Sequence, residues 1–139
     1  MSAPAASSAG RLFPAITGMN RHFWCGGRDG RLHILRCGDC GRWIHPYAAR
    51  CPACRSAKIA PEAVSGRGTV VGFTINHQAW LPDLEVPYAV AIIELQEQAG
   101  LRVMSDLPRI PVDDVHIGLP VKVYFEPHGE IFLPLFEAA

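Results

Sequence analysis

The sequence has no run of 18 apolar residues, and it lacks a positively charged start followed by an apolar stretch. The first absence excludes a membrane-spanning helix, and the second predicts that no secretory signal is present. Structural disulfides need an oxidising compartment, so the lack of a secretory signal argues against them. We predict a soluble, cytoplasmic protein with no membrane partner.

Recognisable catalytic motifs are also missing. There is no glycine-rich phosphate loop, no nucleophile elbow and no histidine pair at helical spacing. The six histidines are scattered, and His45 and His77 are the two that we would test for a role. Asp113 and Asp114 are adjacent, which suits a solvated turn better than an acid–base pair. The chain alone is predicted to have no catalytic residue.

Four of the five cysteines are concentrated in residues 37–56, CGDCGRWIHPYAARCPACRS. They form two Cys-x-x-Cys pairs, and each pair contains a glycine or proline that favours a bend. Two such knuckles can face each other across one tetrahedral ion. The spacing predicts one zinc ion per chain, bound by Cys37, Cys40, Cys51 and Cys54.

Two alternatives to zinc remain open at this stage. Two disulfides would use the same cysteines, and iron in a rubredoxin-like site would use the same four ligands. In either metal form, four thiolates leave no open position for water or substrate, so the site is structural. Cys25 stands apart and is interpreted as a small apolar residue on a packed face.

The formal net charge of zero conceals two oppositely charged halves. Residues 1–68 contain ten basic and three acidic residues, a net charge of +7, and residues 69–139 carry −7. Four metal-bound thiolates and a divalent ion would leave the first half basic. The length suits a small metal module joined to a domain of about 80 residues.

The segment before the first knuckle predicts a short helix over residues 20–29, after a flexible arm at residues 1–19. Asn20 is the expected cap and Gly30 the stop, and the paired glycines Gly26 and Gly27 weaken the helix. Such a helix needs docking, and we predict that Phe23 and Trp24 contact a partner. The alternative is that they pack on this chain's own ribbon. A lead-in strand completes residues 20–36.

After the zinc ribbon, residues 37–58, the pattern changes to the period of two that is typical of strands. In VKVYFE, Val121, Val123 and Phe125 should face one way and Lys122, Tyr124 and Glu126 the other. Five or six strands in residues 59–139 predict a small closed OB-fold barrel. The fold class is mainly β: an N-terminal helix, a rubredoxin-like zinc ribbon and the barrel.

OB-folds often bind single-stranded nucleic acid, which is the alternative function. A barrel with a charge of −7 would repel a polyanion, and its aromatic residues are not interleaved with Lys or Arg. We therefore do not expect nucleic-acid binding, although the basic ribbon keeps it open.

Several segments together resemble a known family. They are FWCGGRDGRLHILRCGDCGRWIHPYAARCPAC, SGRGTVVGFTINH, VPYAVAIIEL and VHIGLPVKVYFE. In this order they resemble the zinc-ribbon OB-fold family known as domain of unknown function 35, over about residues 20–137. Cys25, the Gly26–Gly27 pair and the MSDLPRIPVDD segment depart from its pattern.

The resemblance implies a non-catalytic accessory subunit of a thiolase-fold enzyme that handles acyl-CoA. The complex would be a hetero-oligomer that acts as a carbon–carbon lyase (aldolase) or an acyltransferase. The chain is most similar to the partners of retro-aldolases in steroid side-chain degradation, a part of lipid metabolism. The CoA phosphates would suit the basic half.

Overall fold

The computed structural model describes residues 12–139, so most of the predicted N-terminal arm lies outside the described residues. A short helix α1 (Arg21–Trp24) and a 3-10 helix (Gly26–Asp29) precede the strands, and a second 3-10 turn covers Val112–Asp114. The strands of the described part are β1 (Leu32–Cys37), β2 (Trp43–Ile44), β3 (Ile59–Val64), β4 (Arg67–Asn76), β5 (Tyr88–Leu95), β6 (Arg102–Asp106), β7 (Pro120–His128) and β8 (Ile131–Ala138).

The predicted N-terminal helix is present but is divided at Cys25. Gly30 ends it in a left-handed conformation with φ of 79°, as the sequence predicts. The cap differs from the prediction, because the Asn20 side chain makes no capping bond to the helix. Its Oδ1 instead accepts a hydrogen bond from the Thr17 N–H, and its Nδ2 donates to the Ala15 carbonyl oxygen. Asn20 therefore orders the segment before the helix.

The first sheet has the order β2-β1-β3, and both pairings are antiparallel. The central strand β1 is buried on both faces. Leu32 and Ile34 belong to the large core, whereas Leu35 and Cys37 belong to a smaller cluster around the cysteines. Strand β1 therefore joins the metal module to the rest of the molecule.

Strand β3 was the first strand predicted after the ribbon, but it pairs with β1 rather than with the barrel strands. Alternation of apolar and polar residues identifies the face of a strand and not its neighbour, which explains the difference. The remaining five strands form an antiparallel sheet with the order β6-β5-β4-β7-β8, consistent with the predicted OB-fold.

Within the described residues, no hydrogen-bonded ladder joins the outer strands β6 and β8, so the sheet is not closed into the complete barrel that the sequence predicted. An ion pair of 2.7 Å between Arg109, which follows β6, and Glu137 of β8 spans this seam. Strand β4 has a bulge between Val70 and Gly72, where the sheet bends.

The large core takes residues from all eight strands of the described chain. Val121 is fully buried, and Val123 and Phe125 pack against the core, which confirms the predicted inward face of β7. Among residues 12–139, no helix combines the length and apolar character needed to cross a membrane.

Candidate metal centre

The four predicted ligands come together in one cluster at the end of β1. The sulfur atoms of Cys37, Cys40, Cys51 and Cys54 all lie within 4.8 Å of one another. The Cys37–Cys54 and Cys40–Cys51 sulfurs are each separated by 3.5 Å. Zinc–sulfur bonds of about 2.3 Å in a tetrahedron place the sulfurs about 3.8 Å apart. The cluster therefore has the dimensions of a tetrahedral metal site.

The same distances bear on the disulfide alternative. A disulfide bond is about 2.05 Å long, and all five cysteines are free thiols in this structure. Four soft sulfur ligands favour zinc or iron over hard cations such as magnesium. The residues present thus fit the zinc that the spacing predicted.

The two knuckles have the same backbone geometry. In the first, the Gly41 N–H donates to the Cys37 carbonyl oxygen at 3.0 Å, and Gly41 has a φ of 79°. In the second, the Arg55 N–H donates to the Cys51 carbonyl oxygen at 2.8 Å, and Arg55 has a φ of 66°. A left-handed arginine costs about 1–2 kcal/mol relative to the right-handed form. Because Arg55 adopts this conformation despite its cost, the surrounding knuckle must hold the backbone in it.

Backbone N–H groups point at the buried sulfurs. The Cys40 N–H donates to the Cys37 sulfur at 3.4 Å, and the Ala53 N–H donates to the Cys51 sulfur at the same distance. The Cys40 N–H lowers the pKa of the Cys37 thiol to about 6, although burial works in the opposite direction. The Cys54 N–H similarly lowers the pKa of Cys51. Both cysteines are thereby prepared to bind a metal as thiolates.

The site is enclosed on one side only. Cys37 and Cys51 are buried, whereas Cys40 and Cys54 are exposed. Outside the sulfurs, Ser56 Oγ donates to the Asp39 carboxylate and Lys58 lies 3.6 Å from the same side chain. These contacts connect the two knuckles to each other. Four thiolates would fill every tetrahedral position of a bound ion and leave none open for water or substrate, which is the arrangement of a structural site.

The predicted docking residues lie next to this module. Phe23 is 8% exposed and belongs to the large core, as the alternative interpretation of the aromatic pair held. Trp24 is half-buried, and its ring meets Phe23 edge-on with centroids 4.8 Å apart. A docking role for the exposed part of Trp24 stays a prediction.

Three of the histidines that are scattered in sequence come together around α1. His45 lies with its ring 4.7 Å from Phe23, and burial, followed by the charge of nearby His22, lowers its pKa to about 4. Burial and nearby His33 lower the pKa of His22. Sequence spacing gave no signal for this cluster. His77, by contrast, is exposed.

A connection between the two sheets was also missed by sequence reasoning. The Gln98 side chain accepts a hydrogen bond from the Trp43 N–H at 2.9 Å and donates to the Trp43 carbonyl oxygen at 3.0 Å. It therefore pairs with β2 as a backbone strand would. Nearby, Glu97 accepts a hydrogen bond from the Ser65 N–H at 2.7 Å. Gln98 thus links β2 of the ribbon to the loop after β5, and Glu97 adds a second link just after β3.

Comparison with family models identifies both parts of the chain. Residues 24–60 match the rubredoxin-like zinc ribbon domain of ChsH2, and residues 61–126 match the C-terminal OB-fold domain of ChsH2. A solved structure described as the Ltp2-ChsH2(DUF35) aldolase is similar to this chain, with a TM-score of 0.78 and 34% identity. The match covers 91% of this chain and 98% of that one.

Curated relatives give the same result. A probable enoyl-CoA hydratase alpha subunit of Thermomonospora curvata is 35% identical over 91% of this chain, which spans 39% of that protein. The 3-oxo-4,17-pregnadiene-20-carboxyl-CoA hydratase alpha subunit of Mycobacterium tuberculosis is 34% identical over 74% of this chain, which spans 32% of that protein. The chain therefore spans less than half the length of these two relatives.

A shorter relative is spanned more fully. A DUF35 domain-containing scaffold protein of Methanothermobacter thermautotrophicus is 32% identical over 65% of this chain, which covers 68% of that protein. The four-cysteine centre, the five-stranded sheet and these matches agree over the same residues. The chain therefore belongs to the ChsH2 zinc-ribbon and OB-fold family, the proteins of domain of unknown function 35.

Proposed function

We propose that this chain is a non-catalytic accessory subunit of a thiolase-fold enzyme that acts on acyl-CoA, with retro-aldol cleavage of a steroid side chain as the favoured reaction. The observation that carries the proposal is the likeness to the Ltp2-ChsH2(DUF35) aldolase over 98% of the matched chain. The name of the Mycobacterium tuberculosis relative adds a steroid-like acyl-CoA.

The chemistry of the chain supports a structural role in such a complex. Its metal centre has no open coordination position, and its four sulfurs form a cluster suited to one zinc ion. A thiolate centre of this kind persists best in a reducing compartment, so we propose that the complex is cytoplasmic. The catalytic groups would then belong to the partner.

The test is purification of the tagged chain from its source cells, followed by mass spectrometry of the proteins that remain bound. We expect a thiolase-fold subunit in a fixed ratio to this chain. Recovery without such a subunit would overturn the proposal. Submicromolar binding of single-stranded DNA at physiological salt, lost steeply as salt rises, would favour the nucleic-acid alternative.

A further inference from the structure

Large apolar side chains project from the outer face of β5 and β6, beside a glycine of β4. The register aligns Gly72, Ile92 and Met104 across the three strands. Met104 is 68% exposed and Ile92 is 38% exposed, whereas Ala91, Ile93 and Val103 on the inner face are buried. The outer face of an antiparallel sheet is normally polar. Exposed apolar groups at adjacent positions therefore indicate a contact surface.

Trp80 extends this face from the loop after β4. Asn76 lies four residues after Gly72 on the same strand, so both point to the outer face. The Trp80 indole N–H donates to the Asn76 Oδ1 atom at 3.0 Å, and Asn76 Nδ2 donates to the Gln78 carbonyl oxygen at 2.6 Å. The polar atom of the indole is thus satisfied within the chain.

This arrangement leaves the apolar part of Trp80 presented to solvent, and the residue is 71% exposed. A tryptophan held by its own hydrogen bond loses little freedom on binding, and tryptophan is enriched among residues that dominate interface energy. Gly72 leaves the neighbouring Ile92 more exposed, because glycine has no side chain to cover it. We define Trp80, Ile92 and Met104 as the outer apolar patch.

The charge around the patch argues against a second copy and against nucleic acid as its occupant. Residues 68–106 contain five acidic residues and one basic residue, a net charge of −4. The loop that carries Trp80 contributes Asp83 and Glu85 and has no Lys or Arg. Two patches facing each other in a symmetric dimer would bring like charges together, and a nucleic acid would be repelled. Contact with the basic ribbon of a second copy would be head-to-tail, which does not close by itself.

The geometry points to a contact with the partner enzyme. We infer that the outer apolar patch docks on the thiolase-fold catalytic subunit, at an apolar depression rimmed by Lys or Arg, with Trp80 at one end of the patch as the main anchor. This inference rests on the proposed function and assigns the surface through which the accessory role is exercised. Acidic Glu85 then contributes to the rate and salt dependence of association.

The test measures the dissociation constant of the purified chain for the catalytic subunit that co-purifies with it. Trp80→Ala should weaken binding about thirtyfold, and Met104→Ser about fivefold. Ile117→Ser is the matched control, because Ile117 is 61% exposed but lies in the loop between β6 and β7, on none of the strands that carry the patch. It should change binding less than about twofold. Glu85→Lys should weaken binding mainly at low salt.

Zinc content and melting temperature should stay close to wild type in these variants, because each altered side chain is exposed. If wild type binds a thiolase-fold subunit and Trp80→Ala and Met104→Ser bind it equally well, the patch inference is overturned while the proposed function stands. If the wild-type chain binds no thiolase-fold subunit, the patch inference and the proposed function are both overturned. Wild-type self-association that Trp80→Ala abolishes would also overturn the inference.

Discussion

The two buried apolar clusters of this molecule differ in the residues that form them. The small cluster contains Leu35, Cys37, Ile44 and Cys51, so half of its buried members are predicted metal ligands. The large cluster draws on all eight described strands and contains no cysteine. A few apolar residues bury too little surface to fold a segment alone. From this comparison we predict that the ribbon depends on its metal for folding and that the five-stranded sheet does not.

Strand β1 belongs to both clusters, since its alternate side chains face opposite ways. Loss of the metal therefore removes the support of one face of β1 and leaves Leu32 and Ile34 in the large core. Without the metal, we expect the two knuckles to lose their structure and the five-stranded sheet to keep it, with strand β1 between the two regions.

The largest expected effect comes from removing a ligand. Binding of structural zinc supplies on the order of 10 kcal/mol in small zinc domains. Cys51→Ser and Cys40→Ser should abolish zinc binding and expose residues 38–58 to proteolysis, while amides of β5 keep their protection from hydrogen exchange. Cys25→Ser is the matched control, because Cys25 lies outside the metal cluster, and it should keep one zinc per chain.

Elemental analysis of the wild-type chain measures the metal content with which these variants are compared. We expect one zinc ion per chain. An iron–thiolate absorption spectrum from protein produced without added iron would contradict the metal assignment. Loss of β5 protection in Cys51→Ser, as complete as the loss in the ribbon, would contradict the proposed independence of the sheet.

Two glycines in β4 test the sheet side of the comparison. A Cβ atom at Gly68 would collide with the Glu94 carbonyl oxygen of β5, whereas a Cβ at Gly72 would meet only Ile92, at 3.8 Å. Gly68→Ala should lower the free energy of unfolding by up to about 3 kcal/mol. Gly72→Ala should stay within about 1 kcal/mol of wild type. Denaturant unfolding measures both, and equal effects would show that β4 and β5 adjust easily.

The junction between the two regions is tested at Gln98. Gln98→Ala removes both hydrogen bonds to Trp43 and leaves those backbone groups without this partner, which should cost about 2 kcal/mol. Gln96→Ala is the matched control, because Gln96 is an exposed neighbour. We expect both variants to keep their zinc. If thermal melting of Gln98→Ala matches that of Gln96→Ala, another contact fixes the ribbon against the sheet.

A modest effect is expected for Trp24→Ala. The half-buried ring packs against the large core, so its loss should lower the free energy of unfolding by about 1–2 kcal/mol. The affinity of Trp24→Ala for the catalytic subunit is measured together with its free energy of unfolding. A loss of affinity with unchanged melting would instead establish Trp24 as a docking residue.

Much of this organisation was predictable from local pattern. The Cys-x-x-Cys spacing predicted the four ligands, and the period of two predicted the inward face of Val121, Val123 and Phe125. Both signals depend on neighbours within a few residues. The stop at Gly30 was predictable for the same reason, because a left-handed residue ends a helix locally.

The remaining features depend on tertiary pairing. The partner of β3, the missing ladder between β6 and β8 and the bonds from Gln98 to Trp43 join residues that are distant in sequence. A one-strand pattern contains no information about them. The assembly of His22, His33 and His45 around α1 was hidden for the same reason.

The central claim is that this chain completes an enzyme without supplying its chemistry, and one titration tests it most directly. The purified chain is added stepwise to the co-purifying catalytic subunit, with an acyl-CoA that carries a hydroxyl group on the β carbon as substrate. Carbon–carbon cleavage should rise with added chain and saturate at a fixed ratio, and the chain alone should cleave nothing. Cleavage by the chain alone, or full activity and stability of the catalytic subunit without it, would contradict the account.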